Sequence, residues 1–204
     1  TSGIKIERFP FLKKLKNPKA EITPWWTNNI SWFIYTSLLC VWFVKREKFD
    51  VIHVQSNEFL PAAVITQLLT KKPAVATFRD YQAICNFGFC LWHKAKACNF
   101  RQYLESDFKF FYENYITNKN LIKFIALYIA AIRSRIITKI LFYFATKIKY
   151  KIAVSQKVSE IFKANGIKKM TVIHNPVLAP NRLAKNKKDI VYIGKFSKGK
   201  GADL

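Results

Sequence analysis

The stretch "FDVIHVQSNEFLPAAVITQLLTKKPAVATFRD", from Phe49 to Asp80, limits what this chain can fold into more than any other. Val51, Ile52 and Val54 form a short β-branched run, "PAAVITQLLTKK" has helical character, and "PAVATFRD" is a second short strand ending on a charged pair. Strand, helix and strand at this spacing make a βαβ unit, which requires the two strands to be parallel. The expected class is therefore α/β, a Rossmann-like parallel sheet with helices on both faces. In such sheets the working residues lie just past the carboxyl ends of the strands. That places His53, Gln55 and Ser56 at one rim position, and Thr77, Arg79 and Asp80 at the next.

The flanking segments extend this pattern. "ISWFIYTSLLCVWFV" (Ile30 to Val44) is strongly apolar, but Lys45, Arg46, Glu47 and Lys48 close it before the ~20 residues a spanning helix needs. A buried helix of an α/β domain is the expectation, and a membrane-inserted segment the alternative. "YKIAVSQKVSEIFKANGI" reads as a strand, then a helix capped by Ser155 and stopped at Gly166. "KMTVIHNPV" is a strand entering a Pro-containing turn, "LAPNRLAKNKKD" is a polar linker, and "IVYIG" opens a new strand. The expected organisation is a first domain over 1–178, a linker over 179–189 and the start of a second domain over 190–204. The chain opens without Met on "GIKIERFP", which alternates like a strand within a sheet, and stops inside "KGADL". A fragment incomplete at both ends is expected.

Charge narrows the partners. Half of the 204 residues are hydrophobic, enough for a sizeable core, yet 35 Lys and Arg against 12 Asp and Glu give a formal +23. Such a field attracts nucleic acid, an anionic membrane or phosphorylated substrates. The helical region 108–150 holds much of it, with no acidic residue between Asn114 and Ser159. Ile122, Ile125, Ile129, Ile132, Ile136, Ile140 and Tyr143 recur at steps of three and four, one apolar stripe. Two readings stand. In one, Lys119, Lys123, Phe124, Tyr128, Arg133, Arg135 and Lys139 face an anionic membrane surface. In the other, the helix packs on the sheet and its basic face is solvated.

The four cysteines include no CxxC pair, which fits a reduced, cytoplasmic setting. Cys85, Cys90 and Cys98, with His93 between them, admit a zinc site or free thiols in a loop; their spacing matches no usual finger. His53 and His174 are expected to be structural hydrogen-bonders.

At the end of the chain, Gly194 to Lys200 reads GKFSKGK. This satisfies the G-x-x-x-x-G-K of a P-loop, but the magnesium-holding Ser or Thr that should follow is Gly201. A second reading needs no metal: glycines let the backbone approach a diphosphate, a helix N-terminus adds partial positive charge, and Lys195 and Lys200 neutralise the oxygens. A glycine-rich surface turn is the third.

The strand, this loop and the preceding "VIHNPV" together resemble the start of the C-terminal domain in GT-B glycosyltransferases of family four, where a strand is followed by Gly-Arg, a spacer and Lys-Gly before a helix. "FDVIHVQ", "AVATFRDYQAIC" and "YKIAVSQKVSEIF" resemble later strands of that family's N-terminal domain, in matching order over most of residues 45 to 204. The helical block 100–150 carries little of the resemblance.

The resemblance implies a retaining transfer of a sugar from a nucleotide-diphosphate donor to a lipid-linked or cell-surface glycan acceptor at the cytoplasmic membrane face. Gly194, Lys195 and Lys200 would hold the donor diphosphate, Lys195 standing where the family has Arg and keeping the charge without the bidentate fork. Two cations at the leaving group make a metal or other cofactor unnecessary. Arg79 stands where the family often has His, followed by Asp80; the two are the candidate catalytic residues, an arginine contacting a sugar or phosphate rather than shuttling protons. The family's glycine-rich first loop and its donor-side carboxylate pair are expected outside this chain, so the fragment alone is expected to be inactive. A basic nucleic-acid-binding module is the rival class, although the sequence lacks an RRM, KH or zinc-finger signature.

Overall fold

Four parallel strands form one sheet, in the order β1 (Ile52–Val54), β2 (Ala74–Phe78), β3 (Tyr150–Ala153) and β4 (Met170–Val172). The computed structural model describes residues 28–85, 99–109, 112–113 and 120–176. Two compact units divide the chain, Thr1–His174 and Asn175–Leu204. The strand expected at Gly3–Pro10, the linker and the strand "IVYIG" lie outside the described residues.

The βαβ unit is present as read. Ile52, His53 and Val54 pair with Ala74, Val75 and Ala76 in parallel register, and α2 (Leu60–Thr70) connects the two strands. Along β2 the side chains alternate, with Ala74, Ala76 and Phe78 buried and Val75 and Thr77 half-buried. A strand covered on both faces leaves no fully polar side, which is the expected condition of a parallel sheet. Leu60, Ala63 and Val64 of α2, Phe78 of β2 and Phe162 share one core, with the Phe78 and Phe162 rings 4.7 Å apart. The architecture is α/β: a four-stranded parallel sheet flanked by helices, Rossmann-like as expected.

The helix joining β3 to β4, α5 (Gln156–Ala164), has both expected punctuation marks. Ser155 caps it by accepting from the Val158 N–H at 3.2 Å. At its far end Gly166 takes φ 91°, its N–H bonds to the Lys163 carbonyl, and the Ile167 N–H reaches back to the Phe162 carbonyl. This is a Schellman ending, sealed by Ile167 and Phe162 in the same core.

The first helix, α1 (Ile30–Glu47), corrects one expectation. Asn29 caps it by accepting from the Trp32 N–H at 2.7 Å. The helix is buried along one face only, through Phe33, Thr36, Ser37 and Val44, while Ile30, Ile34, Leu38 and Trp42 are exposed. Thr36 and Ser37 satisfy their buried hydroxyls on the carbonyls of Trp32 and Phe33. Among the described residues no helix is long and apolar enough to cross a membrane.

The long basic segment is a 27-residue helix, α4 (Leu121–Lys147), capped by Asn120; the short α3 (Phe100–Tyr103) and a π-helical turn (Leu104–Phe108) precede it. Ala131, Ile137, Thr138, Leu141 and Ala145 are its buried residues. Ile137 and Leu141 meet Phe33 of α1, and Ala131 meets Tyr103 and Phe108. The helix reaches the main core through Ala145, with Phe142 and Phe144 packed against that core, but not by its isoleucine stripe: Ile122, Ile125, Ile129, Ile132, Ile136 and Tyr143 are exposed and Ile140 is partly covered.

β3 carries an unusual core residue. Lys151 is paired between Ala76 and Met170, is buried, and donates from Nζ to the Ile148 carbonyl at 2.5 Å. Burial first, and Lys169 second, hold its pKa below the ordinary lysine value.

Two measurements follow from these features. An added Cβ at Gly166 meets nothing within 4 Å, so Gly166→Ala has only a backbone penalty. It should lower unfolding free energy by about 1 kcal/mol, and Gly166→Asn by less, because Asn tolerates left-handed backbone; denaturant titration of the three proteins decides it. For Lys151, the unfolded chain binds more protons between the depressed folded pKa and about 10.4, so stability rises with pH across that window. In Lys151→Met that rise should disappear when the same titration is repeated from neutral to alkaline pH.

Candidate functional site at the carboxyl rim

Past the end of β1 the chain runs through Gln55 and Ser56 into a 3-10 turn, Asn57–Phe59, and then α2. Past the end of β2 it runs through Arg79 and Asp80 into a turn closed by Ile84 and Cys85 N–H bonds to the Tyr81 carbonyl. Because the two strands are adjacent and parallel, these two exits lie side by side. Three cross-strand pairs link them. His53 Nε2 lies 2.8 Å from Thr77 Oγ1. Arg79 donates from Nη2 to Gln55 Oε1. Asn57 donates from Nδ2 to Asp80 Oδ1 at 3.0 Å, and the Gln82 N–H donates to the same oxygen at 2.9 Å.

The two candidate catalytic residues therefore hold different partners rather than forming a local ion pair with each other. Arg79 is an exposed cation steered by an amide. Asp80 is half-buried, and both bonds converge on Oδ1, which leaves Oδ2 as an acceptor for a hydroxyl. Ser56 donates to Glu58 Oε2 at 2.5 Å, so this end of the rim carries a second carboxylate. His53 makes the structural hydrogen bond expected of it, and His174 follows β4 at the same end of the sheet, exposed.

Beside the rim, between α1, β1 and α2, lies a cavity of about 350 Å³. Cys40, Ile52, Val54, Phe59 and Ala63 make it mainly apolar, and His53 and Gln55 give it a polar edge. Burial pushes the Cys40 thiol up to about 11, so it is neutral and a poor nucleophile at ordinary pH. Asn57, Phe59 and Cys40 were not legible as site residues. Asn57 sits one position beyond the named rim residues, and the cavity wall at Cys40 exists only once α1 docks.

The remaining predicted residues separate into groups. Gly194, Lys195 and Lys200 lie outside the described residues, as do Lys119, Cys90, Cys98 and His93. Cys85 is buried in the main core. Among the described residues no group of three or more His, Cys, Asp or Glu is placed to hold a metal ion. Of the residues expected to face a membrane, Lys123 and Lys139 are exposed on α4. Phe124 is exposed as well, while it and Tyr128 contact each other and the Phe108 ring, and Tyr112 packs edge-on against Phe124. Arg133 turns inward to donate to the Asn28 carbonyl at 2.9 Å, and Arg135 is half-buried.

A Rossmann-like sheet with polar pairs gathered at its carboxyl rim defines a substrate-binding α/β domain. The family model of Glycosyltransferase Family 4 matches residues 16–178, and the chain belongs to that family of enzymes, which act on a sugar donor and an acceptor. The match includes the helical block 100–150 and ends before the loop at 194–200. No curated protein and no solved structure matches the chain.

The Asp80 geometry is testable by paired substitutions. Asp80→Ala removes the acceptor of two hydrogen bonds and should lower stability by about 1–2 kcal/mol. Asp80→Asn keeps a carbonyl at Oδ1 and should stay within about 0.5 kcal/mol of the parent. Thermal unfolding measures both.

Proposed function

We propose that this protein is a retaining GT-B glycosyltransferase that moves a sugar from a nucleotide-diphosphate donor to a lipid-linked or cell-surface glycan acceptor at the cytoplasmic face of the membrane. The observation that carries this reading is the carboxyl rim, where Arg79 and Asp80 are held by Gln55 and Asn57 beside an apolar cavity, in a chain of Glycosyltransferase Family 4. On this reading the acceptor hydroxyl lies against Asp80 Oδ2, and Arg79 contacts the sugar or a phosphate. The cavity takes an apolar portion of the acceptor.

In the transfer, the acceptor oxygen bonds to the anomeric carbon as the bond from that carbon to the diphosphate oxygen breaks. The hydroxyl proton passes from the acceptor to the departing diphosphate, which leaves with the bonding pair. Negative charge builds on that leaving group, and cations fixed beside it stabilise the transition state more than the ground state. Lys195 and Lys200, on the glycine-rich loop that begins at Gly194, are assigned that role, with no metal or other cofactor.

Thermal stability of the protein against UDP, GDP, their sugar conjugates and ATP tests the assignment. One sugar nucleotide should stabilise it without magnesium, by about 2.7 kcal/mol at a hundredfold excess over Kd. Lys195→Ala and Lys200→Ala should each weaken that response by about tenfold or more in affinity, the loss of a charge-assisted phosphate contact. Stabilisation by magnesium-ATP alone would overturn the reading in favour of a P-loop.

A further inference from the structure

We propose that the exposed face of α4 is a docking surface for an anionic lipid bilayer. Ile122, Ile125, Ile129, Ile132, Ile136 and Tyr143 form it, and they retain between 38% and 78% of their full exposure. Their spacing keeps them on one side of the helix, opposite the face buried by Ala131, Leu141 and Ala145. From Ile122 to Tyr143 the stripe runs roughly 32 Å at 1.5 Å per residue. Monomeric soluble proteins rarely leave so long a contiguous apolar strip in water, and such a strip marks an interaction surface.

Charge selects the occupant. α4 contains Lys123, Arg133, Arg135, Lys139 and Lys147, and not one carboxylate. Lys139 and Lys147 are exposed one turn from Ile136 and Tyr143, and the Lys147 ammonium sits 5.3 Å from the centre of the Tyr143 ring. Just beyond the helix, the Lys149 ammonium repeats this arrangement over exposed Tyr150, also at 5.3 Å. A second copy of the chain would set these lysines against their own images with no acidic residue on the helix to neutralise them. A bilayer with anionic headgroups supplies both counterparts at once: phosphates and carboxylates for the lysines, and the acyl boundary for the isoleucines and the tyrosine. The helix lies along the surface rather than through it, since no described helix is long and apolar enough to cross.

Docking here sets the orientation of the rim. α4 ends beside Gln67, near the carboxyl end of α2, and passes directly into β3. It therefore runs back along the sheet, with its amino-terminal end toward the side where Arg79 and Asp80 sit. The rim then opens at the edge of the membrane, where the head of a lipid-linked acceptor lies. Only this last consequence rests on the proposed transferase function; the docking itself does not.

Co-sedimentation with phosphatidylcholine vesicles, with and without phosphatidylserine, tests the proposal on the whole protein. Binding is expected to need phosphatidylserine. The double variant Ile129→Glu, Ile136→Glu should weaken it at least about tenfold, and Lys139→Glu, Lys147→Glu should weaken it similarly. Both pairs are solvent-facing, and an unchanged circular dichroism spectrum and melting temperature confirm that the variants fold. Ile34→Glu, Leu38→Glu on the exposed side of α1 serves as the control and should bind like the parent. Binding that ignores phosphatidylserine, survives both α4 double variants, or is lost equally in the α1 control overturns the proposal. So does a dimer, seen by sedimentation velocity without vesicles, that Ile129→Glu, Ile136→Glu dissociates. Stabilisation by a sugar nucleotide is read separately in each variant and bears only on the transferase reading.

Discussion

The register of β2 between its two neighbours is the constraint on which the rest of the structure depends. Ala74, Ala76 and Phe78 point into the core, and the same alternation fixes Thr77 on the other side and brings Arg79 and Asp80 out at the carboxyl end. Each pair at the rim joins a residue of β1 or its exit to one of β2 or its exit: His53 to Thr77, Gln55 to Arg79, Asn57 to Asp80. A slip of one residue would turn every β2 side chain to the opposite face and break all three pairs together. The polar site is thus a consequence of core packing. The small side chains of Ala74 and Ala76 and the Phe78–Phe162 contact hold the register that positions it.

The parts of this fold that could be read from the sequence are those whose chemistry is local. β-branched runs at βαβ spacing, the Ser155 cap and the Gly166 stop each depend on a few neighbouring residues, and each is present. Burial of long helices was not legible in the same way. In α4, apolar residues occur on both faces, so periodicity marks a stripe without deciding whether it turns inward. Tertiary packing decides it: the face with Ala131, Ile137, Leu141 and Ala145 turns inward, and the face with Ile129 and Ile136 is left outside. For α1 the apolar run looked uniform, and only the docked structure separates Phe33 and Val44 from Ile34 and Leu38.

The site divides along the same line. Arg79 and Asp80 were named because they follow a strand, a local property. Their partners Gln55 and Asn57 lie 24 and 23 residues away in sequence, and only the parallel pairing brings them near. The aromatic residues of α4 depend on the same long-range packing. Phe124 and Tyr128 carry the signature of interfacial anchors, and the π-helical turn before α4 sets Phe108 edge-on to both rings while Phe124 stays exposed.

Net charge acts differently at the two surfaces because screening confines each charge to a range of about 8–10 Å. At the rim, Arg79 lies among Asp80, Glu58 and neutral amides, so the local field is mixed and directional, suited to orienting one polar group. Along α4 there is no carboxylate to mix with, so the field has a single sign and no preferred direction, suited to an extended anionic layer. The exposed cations there are lysines, whereas the arginines Arg133 and Arg135 are half-buried. A flexible ammonium can follow many headgroup positions, while a planar guanidinium is better used where one carbonyl must be held, as Arg133 holds Asn28. Along this helix the arginine that holds a carbonyl serves the fold, and the lysines are left in solvent, the arrangement that the proposed bilayer docking requires.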